Sequence, residues 1–213
     1  MPTDYITVTE LAGDQVSVEQ VLRLYHRYYW AGNYCRGKDV LEVGCGSGQG
    51  VGYIDSLARS TISGDCSAEM IEIAKRHYGN HYRFEKFDAC ELPFTENEFD
   101  VILILEAIYY IPSIDIFLNE CRRVLRPGGK LLIATANKDL YDFNPSPFSH
   151  EYYGVVELNN SLSEHHFDTE FFGDISVFDI HPMALQPSKA TGQYTEIPPL
   201  SLIASATAIW CFS

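Results

Sequence analysis

Four short strand-like runs, three of them rich in valine, isoleucine or leucine, constrain the fold of this chain most. They have the character of strands buried on both faces, and they lie at 39–43, 60–64, 101–105 and 130–134. Amphipathic helical patterns separate them, and Ser67 is predicted to cap one of these helices and Ser113 another. Strands that alternate with helices form a parallel sheet with right-handed connections. The pattern therefore predicts an α/β fold.

The segments on either side of this pattern are less regular. Segment 16–30 has a helical pattern rich in aromatic residues, which fits either a helix packed on the sheet edge or a lid over a ligand. Segment 137–150 contains two prolines and is predicted to be a loop, and loops of this length are usually functional or disordered. Two further strand-like runs, at 169–178 and 204–212, follow it.

The first predicted strand ends in a glycine-rich turn, Gly44-Cys45-Gly46-Ser47-Gly48. Glycines allow a sharp turn and a close approach of ligand to backbone, and the following helix begins with unpaired N–H groups. The spacing departs from the dinucleotide pattern G-x-G-x-x-G, because the sixth position is Gln49 or Val51, depending on the register. No Gly-Lys-Ser/Thr follows either. The turn therefore favours a ligand other than a pyrophosphate.

Acidic residues end the next two predicted strands. Asp65 lies 21 residues after Gly44, where a carboxylate can accept hydrogen bonds from both hydroxyls of a ribose, or can simply cap the next helix. Asp88 follows the alternating run 82–87, which is predicted to be a strand nearer the sheet edge, and its carboxylate can accept from the amine of an adenine while the next backbone N–H donates to the ring. Together with the turn, these acids favour an adenosine ligand.

Composition narrows the classes of partner. The chain has 213 residues, 15 basic and 29 acidic, for a net charge of −14. Such a charge disfavours a nucleic acid or an anionic membrane surface as partner. The longest apolar run, 101–111, is too short to span a bilayer, and the first residues lack a signal-peptide pattern. Six cysteines without a CxxC pair indicate a reduced, cytoplasmic protein with no metal site.

Five motifs in order resemble those of class I S-adenosylmethionine-dependent methyltransferases, of the type 11-like group. They are Glu42-x-Gly44-x-Gly46-x-Gly48, Asp65, Asp88-Ala89, Leu92-Pro93-Phe94 with Phe99-Asp100, and Leu125-Arg126-Pro127-Gly128-Gly129. The resemblance implies a Rossmann-like seven-stranded sheet, mostly parallel with one antiparallel edge strand, and helices on both faces. It implies one domain over 1–213, divided into a helical lid (1–37), a cofactor-binding core (38–136) and substrate-side loops with the last two strands (137–213).

The same resemblance implies which residues meet S-adenosylmethionine. The implied cofactor-binding residues are Tyr28, Glu42, Gly44, Cys45, Gly46, Asp65, Cys66, Met70, Asp88, Ala89, Leu105 and Glu106. The catalytic candidates near the strand ends are Glu106, Tyr110 and His150, and Tyr110 stands where many members of the family have histidine. Adjacent histidines at 165 and 166 point in different directions on a helix, so no metal is predicted.

The resemblance thus predicts methyl transfer to an oxygen or nitrogen of a small molecule. The residues at 27–31 and 137–152 also resemble a bacterial subgroup associated with glycans, so a sugar or glycan precursor is one candidate acceptor. Two alternatives stay open, a cofactor-binding but inactive methyltransferase-like subunit and an NAD-dependent oxidoreductase. Trp210 and the proline-rich segment 181–200 are either the surface of a homodimer or part of the core.

Overall fold

The computed structural model describes residues 16–141, 143–173 and 207–212. Outside the described parts lie the segment 181–200 and the side chain of Trp210, which the sequence analysis assigns either to the surface of a homodimer or to the core. In chain order the helices are α1 (Val18–Cys35), α2 (Val51–Leu57), α3 (Ala68–Tyr78), α4 (Ile114–Val124) and α5 (Val155–Glu164). The strands are β1 (Asp39–Val43), β2 (Ser60–Asp65), β3 (Arg83–Lys86), β4 (Phe99–Leu105), β5 (Leu125–Ala136), β6 (Thr169–Gly173) and β7 (Thr207–Phe212).

The described strands form one sheet in the order β3-β2-β1-β4-β5-β7-β6. Neighbours from β3 to β5 pair in parallel, whereas β7 pairs antiparallel with both β5 and β6. The α/β architecture is therefore confirmed, but parallel pairing is limited to five strands. The expected antiparallel edge strand is wrong, because β7 inserts between β5 and β6 and leaves β6, which runs in the same direction as β5, at the edge.

Helices cover both faces of the sheet because alternate strand residues point to opposite sides. On one face α4 and α5 pack on Leu41, Ile102, Ile104, Leu131 and Ile133. On the other face α1 and α2 pack on Val40, Val101, Leu103 and Leu132. Burying each of these aliphatic side chains contributes about 1.5–3 kcal/mol, so the central strands hold the layers together.

The helix ends follow local capping chemistry. Ser17 and Gln20 form a capping box at the start of α1, and the predicted cap Ser67 accepts a hydrogen bond from the backbone N–H of Met70. Ser113 directly precedes α4, but its side chain makes no capping hydrogen bond, so the predicted cap is wrong. The helical pattern of 16–30 extends to Cys35, where α1 ends just before β1.

Candidate active site

A cavity of about 720 Å³ lies at the carboxyl ends of the parallel strands. Because parallel strands end at the same edge of a sheet, the segments that follow β1, β2, β3 and β4 meet there. The walls of the cavity also include residues of α1 and of the loop after β5. Of the predicted cofactor-binding and catalytic residues, those that line it are Tyr28, Gly44, Cys45, Gly46, Asp65, Cys66, Asp88, Ala89, Leu105, Glu106 and Tyr110.

The glycine turn after β1 is fixed by backbone hydrogen bonds to β2. The N–H groups of Gly44 and Cys45 both donate to the carbonyl of Gly64, at 2.8 and 3.0 Å. Gly44 has φ of +73°, and a Cβ there would overlap the methyl group of Ala107. The turn is therefore a cradle that a side chain at position 44 would fill, and a ligand can approach its backbone closely.

Asp65 connects the second strand to this turn. Its Oδ2 accepts from the N–H of Gly46 at 3.0 Å, and its Oδ1 accepts from the N–H of Ser67 at 2.8 Å. Burial raises the pKa of the Asp65 carboxyl. Because Asp65 lines the cavity, its carboxylate can accept from two vicinal hydroxyls of a ligand as well as bond to the start of α3. Both sequence interpretations of Asp65 are thus compatible with its geometry.

The residues after β3 form the adjacent wall. Asp88 is exposed in the cavity, and its Oδ1 accepts from the backbone N–H of Cys90 at 2.8 Å. Ala89 is buried at its side, and Cys66 lines the cavity from the start of α3. Apolar walls with one carboxylate at the rim suit a flat heterocycle that carries an amine.

Glu42 lies behind the turn and does not line the cavity. Its carboxylate is 1 % exposed and accepts from Tyr28 Oη at 2.6 Å and from Ser63 Oγ at 2.7 Å. Burial raises the pKa of this carboxyl. The Tyr28 ring lies against Gly50, where a Cβ would overlap it. Glu42 therefore ties α1 to β1 and β2, and a direct contact with a ligand is not supported.

Met70 and His150 also lie away from the cavity. Met70 is completely buried beneath α3, so the expected contact with the cofactor is not supported. His150 is exposed, and its backbone N–H donates to the carbonyl of Tyr109 at 2.7 Å. Because His150 is held by its backbone outside the cavity walls, the geometry does not support its catalytic role.

Glu106 lines the cavity directly after β4. Its φ of +55° is rare for a residue with a side chain, and its N–H donates to the carbonyl of Ala134 at 2.7 Å. Tyr109 Oη donates to Glu106 Oε2 at 3.3 Å, and Nη1 of Arg27 lies 3.8 Å from Oε1. Burial raises the pKa of the Glu106 carboxyl. The strained backbone thus aims an acid into the cavity, where a proton acceptor would be useful.

Tyr110 is bound to the loop that follows β5. Its Oη lies 2.5 Å from Ser146 Oγ, while Tyr152 Oη accepts from the N–H of Ser146 at 3.0 Å. The rings of Tyr109 and Tyr152 stack at 4.2 Å. This cluster of tyrosines fixes segment 143–152 beside the cavity and gives Tyr110 a wall position.

Several cavity residues were not predicted from the sequence. Arg23, Leu24 and Arg27 reach it from α1, and Leu140, Phe143 and Asn144 reach it from the loop. Arg23 and Arg27 are four residues apart and so share one face of the helix. That spacing was a usable signal for the arginines. The loop residues carry no pattern that could have identified them.

Two absences concern only the described part of the chain. Within it, no group of three or more His, Cys, Asp or Glu side chains could hold a metal ion. None of its helices combines the length and the hydropathy needed to cross a membrane.

Residues 41–133 match the family model described as a methyltransferase domain. A fatty-acid O-methyltransferase of Mycolicibacterium smegmatis is 41 % identical over 103 residues, which are 47 % of this chain and 38 % of that protein. A probable S-adenosylmethionine-dependent methyltransferase of the same species is 32 % identical over 152 residues, 70 % of this chain and 56 % of that protein. The chain thus spans between a third and two thirds of the length of these relatives.

The fold has solved counterparts. The crystal structure of an S-adenosylmethionine-dependent methyltransferase from Aquifex aeolicus superposes with a TM-score of 0.63 at 18 % identity, covering 88 % of each chain. The cradle at Gly44 and the carboxylate of Asp65 fit the amino-acid end and the ribose of S-adenosylmethionine. Over residues 41–133 the chain therefore matches the methyltransferase domain family, its relatives include an S-adenosylmethionine-dependent methyltransferase, and its cofactor is S-adenosylmethionine.

Proposed function

We propose that the chain transfers a methyl group from S-adenosylmethionine to an oxygen or nitrogen atom of a small molecule. The observation that carries this proposal is a single cavity with two kinds of wall. Gly44, Asp65 and Asp88 line one end, and Glu106 with Tyr110 lines the other. A donor and an acceptor that bind in one cavity can be held in line for a displacement.

The residues act mainly by alignment. When bound, S-adenosylmethionine supplies a methyl group activated by a positively charged sulfur. We assign Gly44, Cys45 and Gly46 to the methionine part and the ribose, and Asp65 to the ribose hydroxyls. Asp88 and Ala89 read the adenine edge, with Cys66 beside it. Holding two reactants in the correct orientation contributes roughly 7–11 kcal/mol to lowering a barrier.

The acceptor end suits a molecule with an apolar or aromatic body. Leu24, Ile111, Leu140 and Phe143 line it. One relative is named as a fatty-acid O-methyltransferase, which supports an oxygen acceptor. A sugar or glycan precursor is the second acceptor class, which the resemblance of segments 27–31 and 137–152 suggested. A cytoplasmic location and a homodimer stay predictions from the sequence.

The test is methyl transfer from labelled S-adenosylmethionine to a panel of carboxylic acids, alcohols, phenols, amines and sugars. We expect at least one class to be methylated, and we expect Glu106→Gln to slow the reaction with a neutral alcohol or a phenol. Glu72→Gln, an exposed acid on α3, is the control. Binding of S-adenosylhomocysteine without turnover on any class would favour the inactive-subunit alternative and contradict the proposal.

A further inference from the structure

Arg27 is the least satisfied charged group in the described cavity wall. Its side chain is 14 % exposed, and its buried Nε has no hydrogen-bond partner. Its Nη1 lies 3.8 Å from Glu106 Oε1, which is beyond hydrogen-bond distance. A guanidinium carries five N–H donors in a planar fork, and a buried donor without a partner is costly. Arg27 therefore lacks a hydrogen-bond acceptor, and a bound ligand can supply one.

A second arginine lies beside it. Arg23, one turn earlier on α1, lines the same cavity and pairs with Glu19 at 2.7 Å. Two guanidinium groups at one end of a cavity are notable in a chain whose net charge is −14. A planar anion, and a carboxylate in particular, matches the fork of a guanidinium with two parallel hydrogen bonds.

The proton-accepting groups of the cavity are few. No histidine is among its described lining residues, which include three acids, Asp65, Asp88 and Glu106. The first two belong to the adenosine end. Burial raises the pKa of the Tyr109 phenol well above its ordinary value, and the Tyr110 hydroxyl lies against Ser146. A nucleophile that is already ionised needs none of these groups as a base.

We propose that the acceptor is a carboxylic acid with an apolar body, bound as the carboxylate by Arg27. This inference rests on the proposed methyl transfer. Its apolar body lies against Leu24, Ile111, Leu140 and Phe143. A carboxylate oxygen forms the new bond to the methyl carbon, and the carbon–sulfur bond breaks with its electron pair left on sulfur. No proton moves, and a methyl ester and a thioether result.

The charges of the site agree with this step. Before transfer, Arg27 and the sulfonium are positive, and the acceptor carboxylate is negative. After transfer, both the ester and the thioether are neutral, and Arg27 faces Glu106 alone. The ester has lost the charge that held its acid to the guanidinium, so the product leaves more readily than the acceptor binds.

The experiment compares matched acceptors with labelled S-adenosylmethionine. Octanoic acid is compared with octanol and octylamine, and cinnamic acid with cinnamyl alcohol. We expect the acids to be methylated and the alcohols and amine to react at least about tenfold more slowly. Preference for an alcohol or an amine, or equal rates within each set, would overturn the inference while leaving methyl transfer itself intact. If S-adenosylhomocysteine does not bind, the result would instead contradict the proposed function.

Variants of Arg27 test the anchor directly. Arg27→Gln should raise KM for the acid about tenfold or more, with kcat and the Kd of S-adenosylhomocysteine within about threefold. Arg27→Lys keeps the charge and should recover part of the affinity, and its folding is checked by circular dichroism. Arg36→Gln, an exposed arginine just after α1, is the control.

The cofactor also carries a carboxylate, and calorimetry separates the two sources. Methylthioadenosine lacks the amino-acid part of S-adenosylhomocysteine. Arg27→Gln should leave the Kd of both compounds unchanged. If the variant weakens S-adenosylhomocysteine and not methylthioadenosine, Arg27 holds the carboxylate of the cofactor and the inference is wrong.

Discussion

The two ends of the cavity are built in different ways. The cofactor end is made mostly of backbone that continues directly from β1, β2 and β3, with the turn at Gly44 bonded to Gly64 in the neighbouring strand. The acceptor end is made of side chains from α1, the segment after β4 and the loop after β5. Its contacts, such as Tyr110 with Ser146, join residues distant in sequence.

This difference predicts which positions of the cavity tolerate substitution and which do not. A turn held by backbone hydrogen bonds tolerates few substitutions, because its shape depends on the absence of a Cβ. Side chains on a helix and a loop can be exchanged without disturbing the sheet. One cofactor site can therefore be combined with many acceptor sites, and substitutions at the two ends should have separable effects.

The largest effect is expected from Gly44→Ala. At the positive φ of this position, a residue with a Cβ costs about 1–2 kcal/mol of backbone strain. The overlap of the new methyl group with Ala107 costs about 1–3 kcal/mol more. We expect the affinity for S-adenosylhomocysteine to fall by more than about thirtyfold, as measured by calorimetry. Gly37→Ala is the matched control, because Gly37 has φ of +67° with no atom near its Cβ. Equal losses in both variants would mean that backbone strain alone, and not the cradle, matters.

The next effect in size is expected from Asp65→Ala. The variant removes the carboxylate that accepts from Gly46 and that we assign to the ribose hydroxyls. Charge-assisted hydrogen bonds contribute about 1.5–3 kcal/mol, so affinity for S-adenosylhomocysteine should fall roughly tenfold to a hundredfold. Asp55→Asn, on α2 and outside the cavity, should change nothing. An unchanged dissociation constant in Asp65→Ala would refute the ribose assignment.

A smaller effect, confined to the other end, is expected from Tyr110→Phe. Loss of the hydrogen bond with Ser146 loosens the loop beside the acceptor and costs about 0.5–1.5 kcal/mol. KM for the acceptor should rise roughly twofold to tenfold while the Kd of S-adenosylhomocysteine stays constant. Ser146→Ala should reproduce the result. Weaker cofactor binding in either variant would show that the two ends are coupled.

The smallest effect is expected at the amino ends of the parallel strands, opposite the cavity. Asp39 accepts from Arg59, from Ser60 Oγ at 2.8 Å and from Arg126 at 2.9 Å, and the hydrogen bond with Arg59 holds the pKa of Asp39 well below its ordinary value. A lowered folded-state pKa means that this stabilisation is present above about pH 4 and is lost as the pH falls further.

Thermal unfolding of Asp39→Asn checks this. At pH 7 the variant should lose about 1 kcal/mol of stability, and its stability should depend less on acid than that of the parent chain. Affinity for S-adenosylhomocysteine should not change, because Asp39 lies at the amino end of β1. A loss of affinity without a loss of stability would show that the amino ends of the strands are coupled to the cavity at their carboxyl ends.

The sequence predicted which residues meet at the proposed cofactor end of the cavity, because its signals are local. The turn at Gly44 and the acids Asp65 and Asp88 each follow a strand directly, so their meeting point follows from parallel topology. Glu42 and Met70 do not line the cavity as expected, because burial, unlike spacing, depends on what packs over them. Glu42 is covered by Tyr28 of α1, and Met70 faces the core side of α3.

The acceptor end and the sheet edge were harder to predict because their partners are remote in sequence. His150 lies in a loop whose path is set by stacking of Tyr109 on Tyr152, and no local pattern encodes that contact. The position of β7 between β5 and β6 depends on pairing between strands far apart in the chain. Arg27 was visible as a residue, but its unsatisfied guanidinium is a property of the folded cavity.

The most direct test of the cofactor site is calorimetric titration of the purified chain with S-adenosylhomocysteine, with NAD titrated in parallel. We predict micromolar binding of S-adenosylhomocysteine that Asp65→Ala weakens, and no binding of NAD. Binding of NAD without S-adenosylhomocysteine, or S-adenosylhomocysteine binding that Gly44→Ala and Asp65→Ala leave untouched, would contradict the account.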